Sequence, residues 1–368
     1  MISVIPIQNL YYLLLYAWDV PDMRDKVKVN ADLCHSLPNL FVQLLIGATE
    51  RLLKQGLVQE YRSKQEDVDG LRGKLCIGET LKKGRIRQGK TICEVDELTH
   101  DVLINQIVFT TLTKVVHMEG VDTSNRERVS KLIRRFPATK RILLSENIFS
   151  KVRIHRNNRF YRFVLHLCNL LYQSLLPKEG TDGTFEFLDF TRDEFKMERV
   201  FELFLKNFCK QHCTEEFPEV SRSYLQFQLS PNGMVFSQDN ESASRLLPTM
   251  ETDVTLFNPK SGRKTILDAK YYHQTLTSRY DQQGKIRREH ISQILSYVME
   301  QEKADEPHTK NTDGILVYPT VDNDLDVAYR YRDTNHIIRV STINLNQEWF
   351  KIEERLKDIV ERKIELTA

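Results

Sequence analysis

Residues 249–272, TMETDVTLFNPKSGRKTILDAKYY, decide how the second half of this chain folds. Apolar and polar side chains alternate along 250–256, which is the two-residue period of a β-strand. The segment NPKSG at 258–262 is rich in turn residues, and the run 265–272 that follows predicts a second strand. The stretch is therefore expected to form a β-hairpin.

Two carboxylates and one ammonium group are expected to meet on this hairpin. Asp268 and Lys270 are two residues apart, so both project from the same face of the second strand. If the strands pair around Lys260, Asp253 lies close to Asp268. Two neighbouring carboxylates repel each other, and a divalent cation such as Mg²⁺ removes that repulsion. A solvated hairpin with charges on its outer face is the alternative, because D-x-K triplets are common.

This pattern resembles the core of the PD-(D/E)XK nucleases. Asp253, an intervening turn and the triplet Asp268-Ala269-Lys270 match that core, although Thr252 stands where the family usually has proline. The resemblance implies that Asp253, Asp268 and Lys270 are catalytic. It also implies that Asp253, Asp268 and the carbonyl of Ala269 bind Mg²⁺, with Lys270 stabilising the phosphoryl group or orienting the attacking water.

A predicted helix at 197–210 offers a further acidic residue. Glu198 and Glu202 lie one turn apart on this helix. The first helix of PD-(D/E)XK nucleases often carries a glutamate near the metal, and the pair Phe201-Glu202 resembles that feature. Glu202 is therefore the accessory candidate, and an exposed glutamate on an amphipathic helix is the alternative.

A second predicted helix, 291–298, follows the hairpin. Gln293 and Tyr297 are four residues apart and so share one side of it. A Q-x-x-x-Y pattern after D-x-K recurs in the same nuclease superfamily. The resemblance implies that both residues are accessory groups that bind phosphate or brace Lys270, whereas an ordinary helix surface is the alternative.

The beginning of the chain carries a longer resemblance. Residues 5–19, IPIQNLYYLLLYAWD, resemble the opening of the McrC family, the nuclease subunit of the McrBC 5-methylcytosine-dependent restriction system. Physically, this segment is an apolar helix rich in aromatic residues that pack. Other positions that resemble the family are Leu71-Arg72-Gly73, Cys93-Glu94 and Asn105.

The McrC resemblance covers nearly the whole chain and implies a function. We expect a cytoplasmic DNA endonuclease subunit that hydrolyses duplex DNA, methylated in this family, with Mg²⁺. The implied partner is an McrB-like AAA+ GTPase hexamer, which binds the GTP and is stimulated by this chain. Two alternatives stay open: a non-catalytic activator or adaptor of an AAA+ NTPase, and a stand-alone PD-(D/E)XK nuclease.

Length and composition are those of a soluble globular protein with two domains. The chain has 368 residues, 40% of them hydrophobic and 28% charged, and a formal net charge of +2. DNA binding must therefore rest on local patches. The apolar run 10–18 is too short to span a bilayer, and no membrane partner is expected. Scattered cysteines without a C-x-x-C pair favour a reducing compartment over a disulfide framework or zinc site: Cys34, Cys76, Cys93, Cys168, Cys209 and Cys213.

The predicted fold class is α/β (α+β overall) in two domains. Residues 1–180 are expected to form a mixed α/β partner-binding domain with a β-hairpin region around 61–97. Residues 181–368 are expected to form a PD-(D/E)XK endonuclease domain, in which helices flank a central mixed sheet. The boundary is placed in PKEGTDG at 177–183, because proline, glycine and charge are concentrated there.

Basic segments are candidates for phosphate contact. Residues 84–91, GRIRQGKT, satisfy the phosphate-loop pattern, but the flanking residues alternate like strands, so a basic β-turn is expected instead. Residues 151–162, KVRIHRNNRFYR, combine cations with aromatic residues. Further cations directly precede the predicted helix 291–298. The predicted DNA-binding residues are Arg153, Arg156, Arg159, Lys285, Arg287 and Arg288.

Overall fold

The chain divides into two compact units. The computed structural model describes residues 5–23, 36–155, 158–177, 184–229, 245–271, 286–303, 305–321 and 324–363. One unit joins residues 1–24 to 189–368 and is called the sheet unit below. The other, residues 25–188, is called the helical unit.

This division differs from the predicted one in two ways. The first 24 residues belong with the C-terminal unit and not with an N-terminal domain of 1–180, and the boundary lies at 188/189. Most of the proposed boundary segment, 178–183, lies outside the described residues.

Helices and strands are labelled in chain order. The α-helices are α1 Ile7–Ala17, α2 Leu37–Gln55, α3 Ile77–Lys82, α4 Leu103–Val115, α5 Thr123–Arg135, α6 Glu146–Ser150, α7 Phe160–Ser174, α8 Glu194–His212, α9 Arg288–Glu300 and α10 Trp349–Glu361. The strands are β1 Glu60–Asp69, β2 Lys74–Leu75, β3 Lys90–Thr99, β4 Leu175–Pro177, β5 Phe185–Phe187, β6 Glu219–Ser221, β7 Tyr224–Gln226, β8 Thr249–Glu251, β9 Val254–Asn258, β10 Arg263–Ala269, β11 Asp313–Thr320, β12 Asp326–Arg330 and β13 Ile337–Asn344. Among the described residues, no helix has both the length and the apolar composition needed to cross a bilayer.

A six-stranded mixed sheet forms the centre of the sheet unit. Its order is β12-β13-β11-β10-β9-β6. β10, β11 and β13 run parallel, whereas β9 and β12 are antiparallel to their neighbours. β11 and β13 are buried along most of their length, as expected for parallel strands that are covered on both faces. The predicted fold class, a mixed sheet flanked by helices, is confirmed.

Helix α9 packs on this sheet through its apolar side. Ile294 and Val298 are fully buried against Ile266, Leu316 and Val340 of the sheet. The helix approaches β11 at Gly314, where an added Cβ would lie only 2.7 Å from the side chain of Ile294. A glycine at this position therefore sets how closely α9, the helix that carries Gln293 and Tyr297, lies to the sheet.

Helix α1 joins the sheet unit through long-range contacts. The side-chain amide of Asn9 donates to the carbonyl oxygens of Leu345 and Gln347 at 2.8 and 2.7 Å. The Tyr16 ring packs 5.7 Å from Phe204 on α8 and 5.8 Å from Trp349 on α10, measured between centroids. These aromatic residues pack as the sequence suggested, but they place the helix in the C-terminal unit.

The helical unit combines α2, α4, α5 and α7 with a long antiparallel ribbon. β1 pairs with β3 from Glu60 opposite Thr99 to Asp69 opposite Lys90. Residues 77–82 form helix α3, although their alternation predicted a strand. Gly84 and Gly89, both with positive φ, flank a short 3₁₀ turn, and strand β3 follows directly. A phosphate loop needs a helix after the turn, where this chain has strand β3. Residues 84–91 therefore form the expected basic turn and not a phosphate loop.

Candidate active site

The hairpin brings the two predicted aspartates to the same end. β9 and β10 pair from Asn258 opposite Arg263 to Val254 opposite Leu267. Asp253 directly precedes the last pair and Asp268 directly follows it, so the two carboxylates lie near each other. The carboxylate of Asp253 reaches across and accepts a hydrogen bond of 2.7 Å from the backbone N–H of Ala269. The turn residues thus set the register that brings the carboxylates together, as the sequence predicted.

Thr252 occupies the position at which the nuclease pattern usually has proline. It is fully buried, and its backbone N–H donates to the carbonyl of Ser223 at 3.0 Å. Its hydroxyl accepts from the backbone N–H of Ser223 at 2.9 Å. A proline could not make the first of these bonds, because it has no N–H. Threonine therefore anchors the strand before Asp253 by hydrogen bonds.

Asp268 is buried and lacks a complete set of partners. Its side chain is 1% exposed, and one oxygen lies 2.8 Å from Lys270 Nζ. That contact is a close ion pair, and the other carboxylate oxygen accepts no hydrogen bond from the residues that the structure describes. A buried carboxylate with free lone pairs is costly, so binding of a further cation at this position would be stabilising.

Lys270 begins a directed chain of hydrogen bonds. Its ammonium group donates to Gln293 Oε1 at 2.9 Å, and Gln293 Nε2 donates to the Tyr297 hydroxyl at 2.7 Å. Tyr297 in turn donates to the backbone carbonyl of Glu251 at 2.9 Å. The backbone N–H of Lys270 is held by the carbonyl of Val317 on β11 at 2.9 Å. Lys270 is therefore held both at its ammonium group and at its backbone. Gln293 and Tyr297 lie on the same side of α9 and join this hydrogen-bond chain, as predicted.

The two glutamates of α8 differ in how they are engaged. Glu202 is held by Arg199 at 2.7 Å and by Arg222 at 3.0 Å. Glu198, one turn earlier and half-buried, makes no ion pair or hydrogen bond with any described residue. Its charge acts on both Lys270 and Asp268. Sequence spacing places Arg199 near Glu202, but the second partner, Arg222, is brought to Glu202 only by the fold.

The site carries more negative charge than its surroundings compensate. Burial, and then the charge of Asp268, raise the pKa of Asp253 to about 7. Burial raises the pKa of Asp268 to about 6 in spite of Lys270. Burial alone would lower the pKa of Lys270, but the Asp268 carboxylate outweighs it and the pKa is raised. Lys270 therefore stays charged at neutral pH, while the two aspartates share an environment that disfavours their ionised forms.

These residues fit a hard divalent cation that takes few protein ligands. Within the described ranges, no group of three or more His, Cys, Asp or Glu side chains is arranged to hold a metal. Mg²⁺, however, commonly uses one or two carboxylates and completes its shell with water and phosphate oxygens. Such a cation would give the unpartnered oxygen of Asp268 a ligand and would favour the ionised form of Asp253, whose pKa is raised.

A cleft of about 750 Å³ opens beside this site. Its lining includes Glu251, Gln293 and Tyr297 from the hydrogen-bond chain, together with Arg288 at the start of α9. Arg288 is exposed and makes no ion pair with any residue that the structure describes. A cationic side chain in a cleft that borders the Lys270 hydrogen-bond chain is suited to a phosphate group.

The other residues that were predicted to bind DNA are exposed or lie outside the described part of the chain. Arg287 is exposed next to Arg288, and Arg153 and Arg159 are exposed in the helical unit. Arg156 and Lys285 lie outside the described residues. Among the described members of this set, Arg288 alone lines the cleft.

Two sequence comparisons relate this chain to known proteins. A family model described as "McrBC 5-methylcytosine restriction system component" matches residues 7–319. The chain is 29% identical over 356 residues to the "Type IV methyl-directed restriction enzyme EcoKMcrBC" of Escherichia coli strain K12, with 97% of each chain covered.

A solved structure shares the fold. It is a chain of the "half-complex from tetradecameric assembly of Thermococcus gammatolerans McrB AAA+ hexamers with bound McrC". The TM-score is 0.54 at 17% identity, covering 94% of this chain and 75% of the matched chain. Because the family model spans most of the sequence, the chain belongs to the family of McrBC 5-methylcytosine restriction system components.

Proposed function

We propose that this chain is the Mg²⁺-dependent DNA endonuclease subunit of a McrBC-like restriction system and belongs to the PD-(D/E)XK nucleases. The observation that carries the proposal is the meeting of Asp253, Asp268 and Lys270 on one buried patch at the end of the hairpin. The curated relative is named a methyl-directed restriction enzyme. The proposed substrate is accordingly duplex DNA that contains 5-methylcytosine, cut in the cytoplasm.

The chain's own residues hold and neutralise the scissile phosphate. Asp253, Asp268 and the carbonyl of Ala269 would hold Mg²⁺, which when bound activates water and neutralises phosphate charge. Hydrolysis joins a water oxygen to phosphorus and breaks one phosphorus–oxygen bond of the backbone. Lys270, charged and held by Gln293, offers its remaining donor positions to the extra negative charge of the transition state.

The helical unit supports a docking role. Its ribbon segment carries large apolar side chains that are exposed: Leu71, Ile77, Leu81 and Ile86. Exposed apolar side chains concentrated in one segment are typical of protein contact surfaces. The solved relative contains McrB AAA+ hexamers with bound McrC. The proposed partner is therefore an McrB-like AAA+ GTPase, which binds GTP and is stimulated by this chain.

Asp268→Asn separates the nuclease from an adaptor. The assay incubates methylated and unmethylated duplex DNA with Mg²⁺ and this chain, with and without the AAA+ partner and GTP. If the chain is the nuclease, the variant loses cleavage and keeps its stimulation of the partner's GTPase. Cleavage that survives Asp268→Asn would assign the nuclease elsewhere, and cleavage without the partner would indicate a stand-alone enzyme.

Glu198→Gln is expected to reduce cleavage more than Glu202→Gln. Both glutamates act electrostatically on Asp268, but Glu198 also acts on Lys270 and makes no ion pair among the described residues, whereas Glu202 is paired with two arginines. We expect about 10–100-fold slower cleavage for Glu198→Gln, the range for losing a group that supports a metal site. Initial rates over a Mg²⁺ titration measure it. Equal losses in the two variants would contradict the assignment.

Arg288→Ala is expected to weaken DNA binding without stopping the chemical step. Arg288 lines the cleft but takes no part in the Lys270 hydrogen-bond chain. One lost charge-assisted contact to phosphate raises KM by about tenfold and leaves kcat near wild type. Arg192→Ala is the control, because this exposed arginine lies on the same unit outside the cleft. A fall in kcat alone would argue against a binding role.

A further inference from the structure

A second cleft lies in the helical unit, which contains none of the proposed catalytic residues. Its volume is about 520 Å³, within the range of small-ligand sites. Helices α4 and α5, the segment after α5 and strand β5 line it. The cationic or basic side chains of the lining are Lys114, His117, Arg134 and Arg141.

No carboxylate compensates these cations. Among the described residues, neither aspartate nor glutamate lines the cleft, and none forms an ion pair with Lys114, Arg134 or Arg141. Other arginines of α5 behave differently. Arg126 donates to the carbonyls of Met118 and Val121, and Arg128 pairs with Glu50. Arg134 therefore brings uncompensated positive charge to the cleft, whereas the exposed Lys131 and Arg135 of α5 do not line it.

Aromatic rings hold Lys114 at the wall of the cleft. Its ammonium nitrogen lies 5.3 Å from the centroid of Phe185 and 6.0 Å from that of Tyr172. Cation–π contacts of this kind orient an ammonium group without cancelling its charge. Lys114 is only half-exposed, so it loses hydration that an anion would replace.

We propose that this cleft binds phosphate groups. Two guanidinium groups suit phosphate because each offers paired N–H donors, and Lys114 adds a point charge. The phosphate can come from a nucleic-acid backbone or from a small phosphorylated molecule, since both present the same oxygens.

The test compares two charge-matched double variants of the full chain. Arg134→Glu/Arg141→Glu reverses the cleft, and Lys131→Glu/Arg135→Glu reverses two exposed cations of α5 that do not line it. Inorganic tripolyphosphate is titrated by calorimetry, and a short fluorescent DNA duplex by anisotropy, both in EDTA to prevent cleavage. Thermal melting checks folding, and Arg134→Gln/Arg141→Gln replaces the first variant if charge reversal unfolds it.

The cleft variant is expected to bind tripolyphosphate at least about tenfold more weakly, and the control less than about threefold. If the duplex is the source, its affinity falls in parallel and the slope of log K against log salt decreases by about 2 for two lost phosphate contacts. Duplex binding that is the same in both variants, with tripolyphosphate binding lost only in the cleft variant, assigns a small phosphorylated ligand. Equal losses in the two variants, or no tripolyphosphate binding by wild type, would overturn the proposal.

Discussion

Replacing Asp253 with asparagine is expected to abolish DNA cleavage and to raise the thermal stability of the protein at pH 8. Asparagine keeps the shape and the bond from the Ala269 N–H but removes the charge that Mg²⁺ requires. We expect cleavage to fall by about 10³-fold, at the upper end of what loss of one preorganised electrostatic group costs. Stability is expected to rise because the ionised form of Asp253 is disfavoured in the folded protein.

The raised pKa values of the two aspartates determine how the stability of the folded protein changes with pH. The pKa of Asp253 is raised to about 7 by burial, and that of Asp268 to about 6. An unfolded aspartate titrates near 3.9. Between these values the folded state binds more protons, so these groups make the wild-type protein lose stability as the pH rises from about 4 to 7. Melting temperatures at pH 5 and pH 8 in EDTA should therefore separate wild type from Asp253→Asn mainly at pH 8.

Asp326→Asn is the matched control for this change. Asp326 lies on β12 of the same sheet and accepts hydrogen bonds from Arg339 and Ser341. Burial alone would raise the pKa of Asp326, but these partners hold it at about 2. Its stabilisation is present above pH 4 and is lost as the pH falls toward 2. The control should therefore melt lower than wild type at pH 8, because the buried Arg339 loses its closest charge partner and keeps only Asp358 at 3.8 Å.

Magnesium provides a readout that does not depend on activity. A ligand that binds only the folded state raises its melting temperature. Mg²⁺ should raise the melting temperature of wild type at pH 8 and have little effect on Asp253→Asn. If Asp253→Asn melts as far below wild type as Asp326→Asn does, Asp253 is a structural residue and the proposed role in metal binding is wrong.

Lys270→Met is expected to abolish cleavage while leaving the Mg²⁺ effect on melting in place. The methionine removes the ammonium group that contacts Asp268 and Gln293, so the transition state loses its stabilisation. Cleavage is expected to slow by about 10²–10³-fold. Both aspartates remain, and their need for a cation increases. Single-turnover cleavage and melting curves with and without Mg²⁺ measure the two effects.

Lys264→Met is the control for Lys270→Met. Lys264 is a half-buried lysine on the same strand, hydrogen-bonded to Gln301 and outside the cleft beside the active site. We expect near wild-type cleavage from this variant. Cleavage by Lys270→Met at more than one tenth of the wild-type rate would exclude Lys270 from the chemical step.

Local sequence signals were sufficient for the hairpin and for the helix that follows it. The alternation of residues 250–256 and the turn at 258–262 predicted the hairpin and the approach of Asp253 to Asp268. The four-residue spacing of Gln293 and Tyr297 predicted their shared side, and both join the Lys270 hydrogen-bond chain. Each of these features depends on residues near one another in the chain, so the repeat of a strand or helix determines it.

Local alternation was misleading where a short element bends the chain. Residues 77–82 alternate like a strand but form a helix, in which the Thr80 hydroxyl donates to the carbonyl of Cys76 and accepts from the backbone N–H of Ile92. Thr80 is 1% exposed, so this tertiary position outweighs the alternation of its neighbours.

By itself, the sequence determined the hairpin, its register, the catalytic candidates and the family to which the chain belongs. The tertiary structure alone decided that α1 belongs with the sheet unit, that Arg222 neutralises Glu202 while Glu198 stays free of ion pairs among the described residues, and that basic residues from separate segments line one cleft. The physical reason is the same in each case. Charge compensation and burial depend on distances between residues far apart in the chain, and those distances exist only after folding.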